Sequence, residues 1–165
     1  MDSTNAQLLD IVIVGAGISG ISAACHLRTQ CPEKRYRIVE SRENIGGTWD
    51  LFRYPGIRSD SDMHTFGFKF KPWTRAKTIS DGPSILEYLN ETIDEYAVRD
   101  NIDFGRRVIS ARWLSDESVW MTVAQDRDGN ETQYRSRLLF MCSGYYRYSE
   151  GYTPDFPGLE EFAGT

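Results

Sequence analysis

Three glycines, Gly15, Gly17 and Gly20, follow directly on the apolar run Ile11–Val14, and a single carboxylate, Glu40, stands twenty residues past the last of them. Glycine at these positions permits a sharp turn, close approach of backbone to a diphosphate, and tight packing of a following helix on the preceding strand. The free N–H groups at that helix start suit phosphate oxygens, and a carboxylate at this distance suits the hydroxyls of a ribose. A carboxylate also repels a 2′-phosphate, so the pair favours FAD or NAD over NADP at this first site. A second glycine pair, Gly46-Gly47, opens a stretch of aromatic, arginine and proline residues that runs to Asp60. Its aromatics Trp49, Phe52 and Tyr54 offer flat apolar surface, with core packing as the alternative for each ring, and Arg53, Arg58 and Asp60 offer charge beside them.

These residues need a strand–turn–helix–strand frame. Asp10–Val14 does not alternate polar and apolar residues and reads as a strand buried on both faces, as in a parallel sheet. A helix over about residues 18–28 turns Ile21, Ala24 and Leu27 toward that sheet, and a strand over residues 36–40 closes a βαβ unit with Glu40 at its tip. Residues 46–60 read as a structureless functional segment and residues 69–80 as a surface loop. Asp81-Gly82-Pro83 starts a helix with Ile85, Leu86, Leu89, Ile93 and Tyr96 on one face; Glu87 and Glu91 read as solvated, not catalytic. Three short antiparallel strands are expected at residues 107–113, 119–124 and 131–135, with a hairpin signal at Asp128-Gly129, and a separate buried parallel strand at residues 137–142. That last strand puts Gly144 at the carboxyl edge of the sheet, where ligands of such folds sit.

Composition narrows the partners. A net charge of −5 over 165 residues, with both signs mixed along the chain, leaves no basic stripe for nucleic acid, so small molecules are expected. The apolar runs are strand-sized, with no transmembrane segment and no secretory leader; a cytoplasmic protein is expected, with peripheral attachment to a membrane left open. Cys25, Cys31 and Cys142 lack metal or redox spacing, Cys25 and His26 read as ordinary residues of the first helix, and no metal site is expected. Residues 1–9 read as a mobile lead-in, and residues 10–165 as one domain.

The combination of Gly15-x-Gly17-x-x-Gly20, Glu40, Gly46-Gly47-Thr48-Trp49, Arg53-Tyr54-Pro55-Gly56 and Arg58-Ser59-Asp60 resembles the class B flavin-dependent monooxygenases of the Baeyer–Villiger type. The resemblance implies a Rossmann-like α/β FAD-binding fold, a parallel sheet with a small antiparallel three-stranded crossover. It implies FAD as cofactor, NADPH as reductant in the full-length enzyme, and oxygenation by dioxygen of ketones or of sulfur in sulfides and thioamides. Cofactor contacts are carried onto Gly15, Gly17, Ser19, Gly20, Glu40, Gly47, Thr48, Trp49, Asp50, Arg58, Ser59, Asp60, Val108 (beside the adenine) and Gly144. Asp60 is the candidate catalytic residue, near the junction of flavin and nicotinamide; a local Arg58–Asp60 ion pair is the plainer alternative. No cysteine pair follows the second glycines, which speaks against flavin disulfide reductases. Phe162-Ala163-Gly164 matches the opening of the family's fingerprint, so an incomplete domain is expected, its NADPH and substrate regions absent. An NAD-dependent dehydrogenase, or a fragment that binds no cofactor, stand as the alternatives.

Overall fold

The computed structural model describes residues 8–164. β1 (Leu9–Val14) leads through α1 (Ile18–Gln30) into β2 (Tyr36–Val39). The short helices α2 (Thr48–Leu51) and α3 (Met63–Phe66) precede the long α4 (Gly82–Glu95). The strands β3 (Ile102–Asp103), β4 (Arg107–Leu114), β5 (Val119–Gln125) and β6 (Glu131–Met141) complete a single six-stranded sheet of order β3-β2-β1-β6-β5-β4. The lead-in expected over residues 1–9 lies, apart from Leu8 and Leu9, outside the described residues, and Leu9 already belongs to β1.

The absence of alternation in β1 has a direct cause. Ile13 packs with Ile38, Ile21 and Ala24 and with Ile85, Leu89 and Ile93 of α4, on the face that the helices cover. Val12 and Val14 face the other way, onto Val39, Ala124 and Tyr134, where the antiparallel strands cover them. Both faces are dry, so both need apolar side chains. α1 runs two residues longer than the sequence pattern suggests. α4 forms as expected: Asp81 caps it by accepting the Ser84 N–H at 2.9 Å, Pro83 occupies the first turn, and Glu87 and Glu91 face outward to Arg75.

Four expectations are corrected. The separate strands expected at 131–135 and 137–142 are one strand, β6. Its first half pairs antiparallel with β5 and its second half parallel with β1, and Ser136 lies between Trp120 and Leu9 where the two ladders meet. The second half of β6 is not buried on both faces, since Leu138 and Phe140 are about half exposed (52% and 48%). Residues 69–80 are not merely a surface loop. Trp73 is buried against Tyr88, whose hydroxyl accepts the Phe68 N–H at 2.8 Å and donates to the Lys71 carbonyl at 2.5 Å, so this polar stretch is pinned to α4. Residues 46–60, expected to lack structure, include α2. Among the described residues no helix is long and apolar enough to cross a membrane.

Candidate functional site

The first glycine turn closes at the carboxyl end of β1. Gly15, at φ +103°, donates its N–H to Val39 at 2.9 Å, and a Cβ there would lie 2.6 Å from the Cys142 carbonyl oxygen. A Cβ on Gly20 would lie 2.0 Å from the Gly15 carbonyl oxygen, so α1 rests directly on the turn. No side chain can substitute for hydrogen at either place without moving backbone. Gly17 caps α1 without a side-chain oxygen, which leaves the first-turn N–H groups around Ser19 without a side-chain partner at the positive end of the helix.

Glu40 follows β2 and is only 5% exposed. Its Oε2 accepts the Ala16 N–H at 2.7 Å, and its Oε1 accepts the Arg42 N–H at 2.9 Å and the Ser41 hydroxyl at 3.2 Å. A carboxylate offers about four acceptor positions, so one on Oε2 remains for a further donor. The residue expected to meet a ribose thus also fastens the first turn to β2.

The second glycine turn touches the first. Gly46 donates its N–H to Ala16 at 2.9 Å, and a Cβ on Gly47 would lie 3.2 Å from the Gly17 Cα. Gly47 has φ +54° and ψ −121°, backbone that glycine adopts most readily, and its carbonyl accepts the Arg42 Nη1 at 2.9 Å and the Leu51 N–H at 2.9 Å. Asp50 is buried. Its carboxylate receives Arg42 on Oδ2, and Arg53 on Oδ1 at 2.8 Å. The Asp50 side chain is therefore turned to two arginines. Trp49 packs edge-on against Phe66 at 5.6 Å and joins the main core, so for this ring the core-packing alternative describes its surroundings. Phe52, by contrast, meets Tyr54, Tyr146 and Tyr148, and the Tyr148 hydroxyl lies 3.0 Å from Thr48 Oγ1. Through this contact the chain beyond β6, with Gly144 at φ +80°, folds back on the second turn.

Val108 and the Arg58 segment are placed differently. The Glu40 carbonyl accepts the Arg106 N–H at 2.8 Å, which brings the start of β4 to the tip of β2; Val108, two residues on, packs with Val12, Val14 and Val39. Ser59 is buried because its N–H donates to Ser80 at 2.8 Å and its hydroxyl accepts the Ser80 N–H at 3.3 Å. Arg58 bridges to Asp81 through its backbone, and Asp60 is exposed. Among the described residues Arg58 and Asp60 form no ion pair, and no hydrogen bond joins residues 58–60 to the glycine turns.

The residue that the spacing does not reveal is Arg42, which reaches Glu40 through its backbone and the second turn through its side chain. Burial holds the Cys142 thiol, below the first turn, above the ordinary thiol range. An apolar groove lies elsewhere: it runs along α1 and β6 between Ala23, Leu27, Leu138 and Phe140, meeting the turn at Ile18 and Ser19. Among the described residues no group of three His, Cys, Asp or Glu side chains is placed to hold a metal ion.

Residues 13–89 match the family described as NAD(P)-binding Rossmann-like domain. The FAD-containing monooxygenase EthA of Mycolicibacterium smegmatis is 57% identical over 155 residues, covering 94% of this chain and 31% of that protein. The putative FAD-containing monooxygenase MymA of Mycobacterium tuberculosis is 47% identical over 159 residues, covering 96% of this chain and 32% of its own length. Among solved structures, cyclohexanone monooxygenase from Rhodococcus sp. Phi1 bound to NADP+ superposes with a TM-score of 0.77 at 32% identity, over 97% of this chain and 30% of that one. The OTEMO complex with FAD and NADP superposes with a TM-score of 0.77 at 28% identity, over 98% and 30%. The chain spans about 31% of the length of the curated relatives it matches.

Proposed function

This chain is the homologue of about 31% of a class B FAD-containing monooxygenase, and from that premise we propose that residues 10–165 form the FAD-binding portion of an FAD- and NADPH-dependent monooxygenase. The observation that carries the reading is the contact of the two glycine turns at Gly17 and Gly47 beside the Glu40 carboxylate.

The residues fit the cofactor on physical grounds. The uncapped start of α1 at Gly17 and Ser19 leaves donors for a diphosphate, with Gly15 and Gly20 shaping the turn, and the free position on Glu40 Oε2 takes a ribose hydroxyl. Gly47, Thr48, Trp49 and Asp50 hold the cofactor from the second turn, Trp49 and Asp50 by shaping that turn rather than through a ring or carboxylate aimed at it. Val108 stands beside the adenine, and Gly144 contributes backbone at the sheet edge. Arg58, Ser59 and Asp60 serve the junction of flavin and nicotinamide, with Asp60, exposed and free of an Arg58 partner, as the candidate catalytic group. FAD, once reduced by NADPH, supplies the oxygen chemistry; the protein's part is to bind, orient and keep water away. In the full-length enzyme the substrates are ketones, oxygenated by Baeyer–Villiger insertion, or sulfur compounds such as sulfides and thioamides, with dioxygen as co-substrate, and the location is the cytoplasm.

Titration of the purified chain with FAD, followed by flavin fluorescence, tests the binding step. One FAD per chain is expected, displaced by neither NAD nor NADP. Uptake of NAD with no flavin bound overturns the reading.

A further inference from the structure

We infer that Arg42 is a positioning residue that docks the second glycine turn onto the first, and so sets the geometry in which the two together receive FAD. The inference rests on the FAD-binding reading above. The Arg42 N–H donates to Glu40 Oε1, while its guanidinium forks to the Gly47 carbonyl and to Asp50. One residue therefore touches the ribose carboxylate through its main chain and the second turn through its side chain.

Asp50 favours the fork. Its carboxylate is almost fully buried, so it gains from donors that stay in place, and Arg42 and Arg53 both reach it. Arg53 is largely solvent-exposed and screened, with 70% of its side chain open against 32% for Arg42, so Arg42 is the closer-held of the two. The Gly47 carbonyl it grips also accepts the Leu51 N–H at 2.9 Å from α2, so Arg42 joins the start of that helix to the residue beside Glu40. Among the described residues the one backbone hydrogen bond made directly between the turns is Gly46 N–H to Ala16 at 2.9 Å. The planar fork matters: a lysine ammonium can satisfy the Asp50 charge but is not shaped to hold both acceptors in one plane.

The experiment uses the whole chain with Arg42→Gln and Arg42→Lys, reading amide hydrogen exchange without ligand and FAD affinity by fluorescence. In Arg42→Gln the Gly46 amide is expected to exchange about tenfold faster while Val12 and Ile13 of β1 keep their rates, and FAD affinity is expected to fall about tenfold, equivalent to about 1.4 kcal/mol. Arg42→Lys is expected to fall between Gln and the parent. Unchanged Gly46 exchange, or FAD affinity within twofold of the parent, overturns the inference. So does equal acceleration at Gly46, Val12 and Ile13, or loss of the fold in both variants, because Arg42 then supports the domain as a whole. If the parent chain itself takes up no FAD, the functional reading fails, and Gly46 exchange still decides whether Arg42 docks the turns.

Discussion

The Glu40 carboxylate holds the Ala16 N–H at 2.7 Å, so the side chain proposed to meet a ribose also braces the turn proposed to receive the phosphates. Binding and stability are coupled in that one group. Removing a buried acceptor leaves its donors unpaired, at a cost of about 1–3 kcal/mol. Glu40→Ala is therefore expected to lower stability in urea by that amount with no nucleotide present, besides weakening FAD. Equal denaturation midpoints for the two apo proteins would show that the brace carries no load.

Gly17 and Gly20 separate shape from contact. Gly20→Ala drives a Cβ to 2.0 Å from the Gly15 carbonyl oxygen, so backbone must move, and a loss of about 1–3 kcal/mol or more is expected. Gly17→Ala places its Cβ no nearer than 3.8 Å to the Gly47 Cα, with φ at −76°, and is expected to cost less than about 1 kcal/mol. Its methyl group nevertheless fills the approach to the helix start proposed to receive the phosphates. Thermal melts and FAD titrations of the two variants should rank them in opposite senses: Gly20→Ala the less stable, Gly17→Ala the folded one with the poorer affinity.

Acid acts on the β5–β6 hairpin. The Asn130 side chain, then the Arg106 guanidinium, hold the Asp126 carboxyl down at about 2, against an ordinary value of 3.8. A lowered folded-state value means that the contribution to stability is complete above the ordinary value and is lost as pH falls toward about 2. Asp126→Asn is thus expected to melt below the parent at pH 5, and the gap is expected to close between pH 4 and pH 2. A gap that persists at pH 2 would remove the ion pair as its cause.

Cys25 is expected to resist thiol reagents. Burial, reinforced by the Glu95 charge, pushes its thiol up to about 12, which leaves almost no thiolate at pH 8. Mass spectrometry after brief treatment of the native protein should find Cys25 unmodified, and unfolding should expose it. Modification of Cys25 as fast as Cys31, which is only partly buried, would contradict its placement in the core.

Local chemistry explains what could be read from the chain and what could not. Gly15, Gly17, Gly20 and Glu40 were legible because each serves a neighbour at fixed sequence distance. The Asp81 cap and the Asp128-Gly129 turn are legible for the same reason. β6 was misread because Arg135, Ser136 and Arg137 interrupt its apolar run; the polar residues fall where the strand changes partners, and only tertiary structure shows that the strand continues. Trp73 and Phe68 were hidden by the lysines around them, since their partner, Tyr88, lies on another element. Arg42 carries no periodicity or spacing of its own. Its importance arises from where Gly47 and Asp50 are brought by the fold.

The two ladders that meet at Ser136 set an order of assembly. The hairpins of β4, β5 and β6 are local in the chain and close quickly, whereas β1 finds its second neighbour only in the last of these strands. As the polypeptide leaves the ribosome, β1 emerges before β6 and must keep one edge unpaired until β6 follows. The segment proposed to hold the ligand is thus completed late, by a strand that arrives already carrying its own partners.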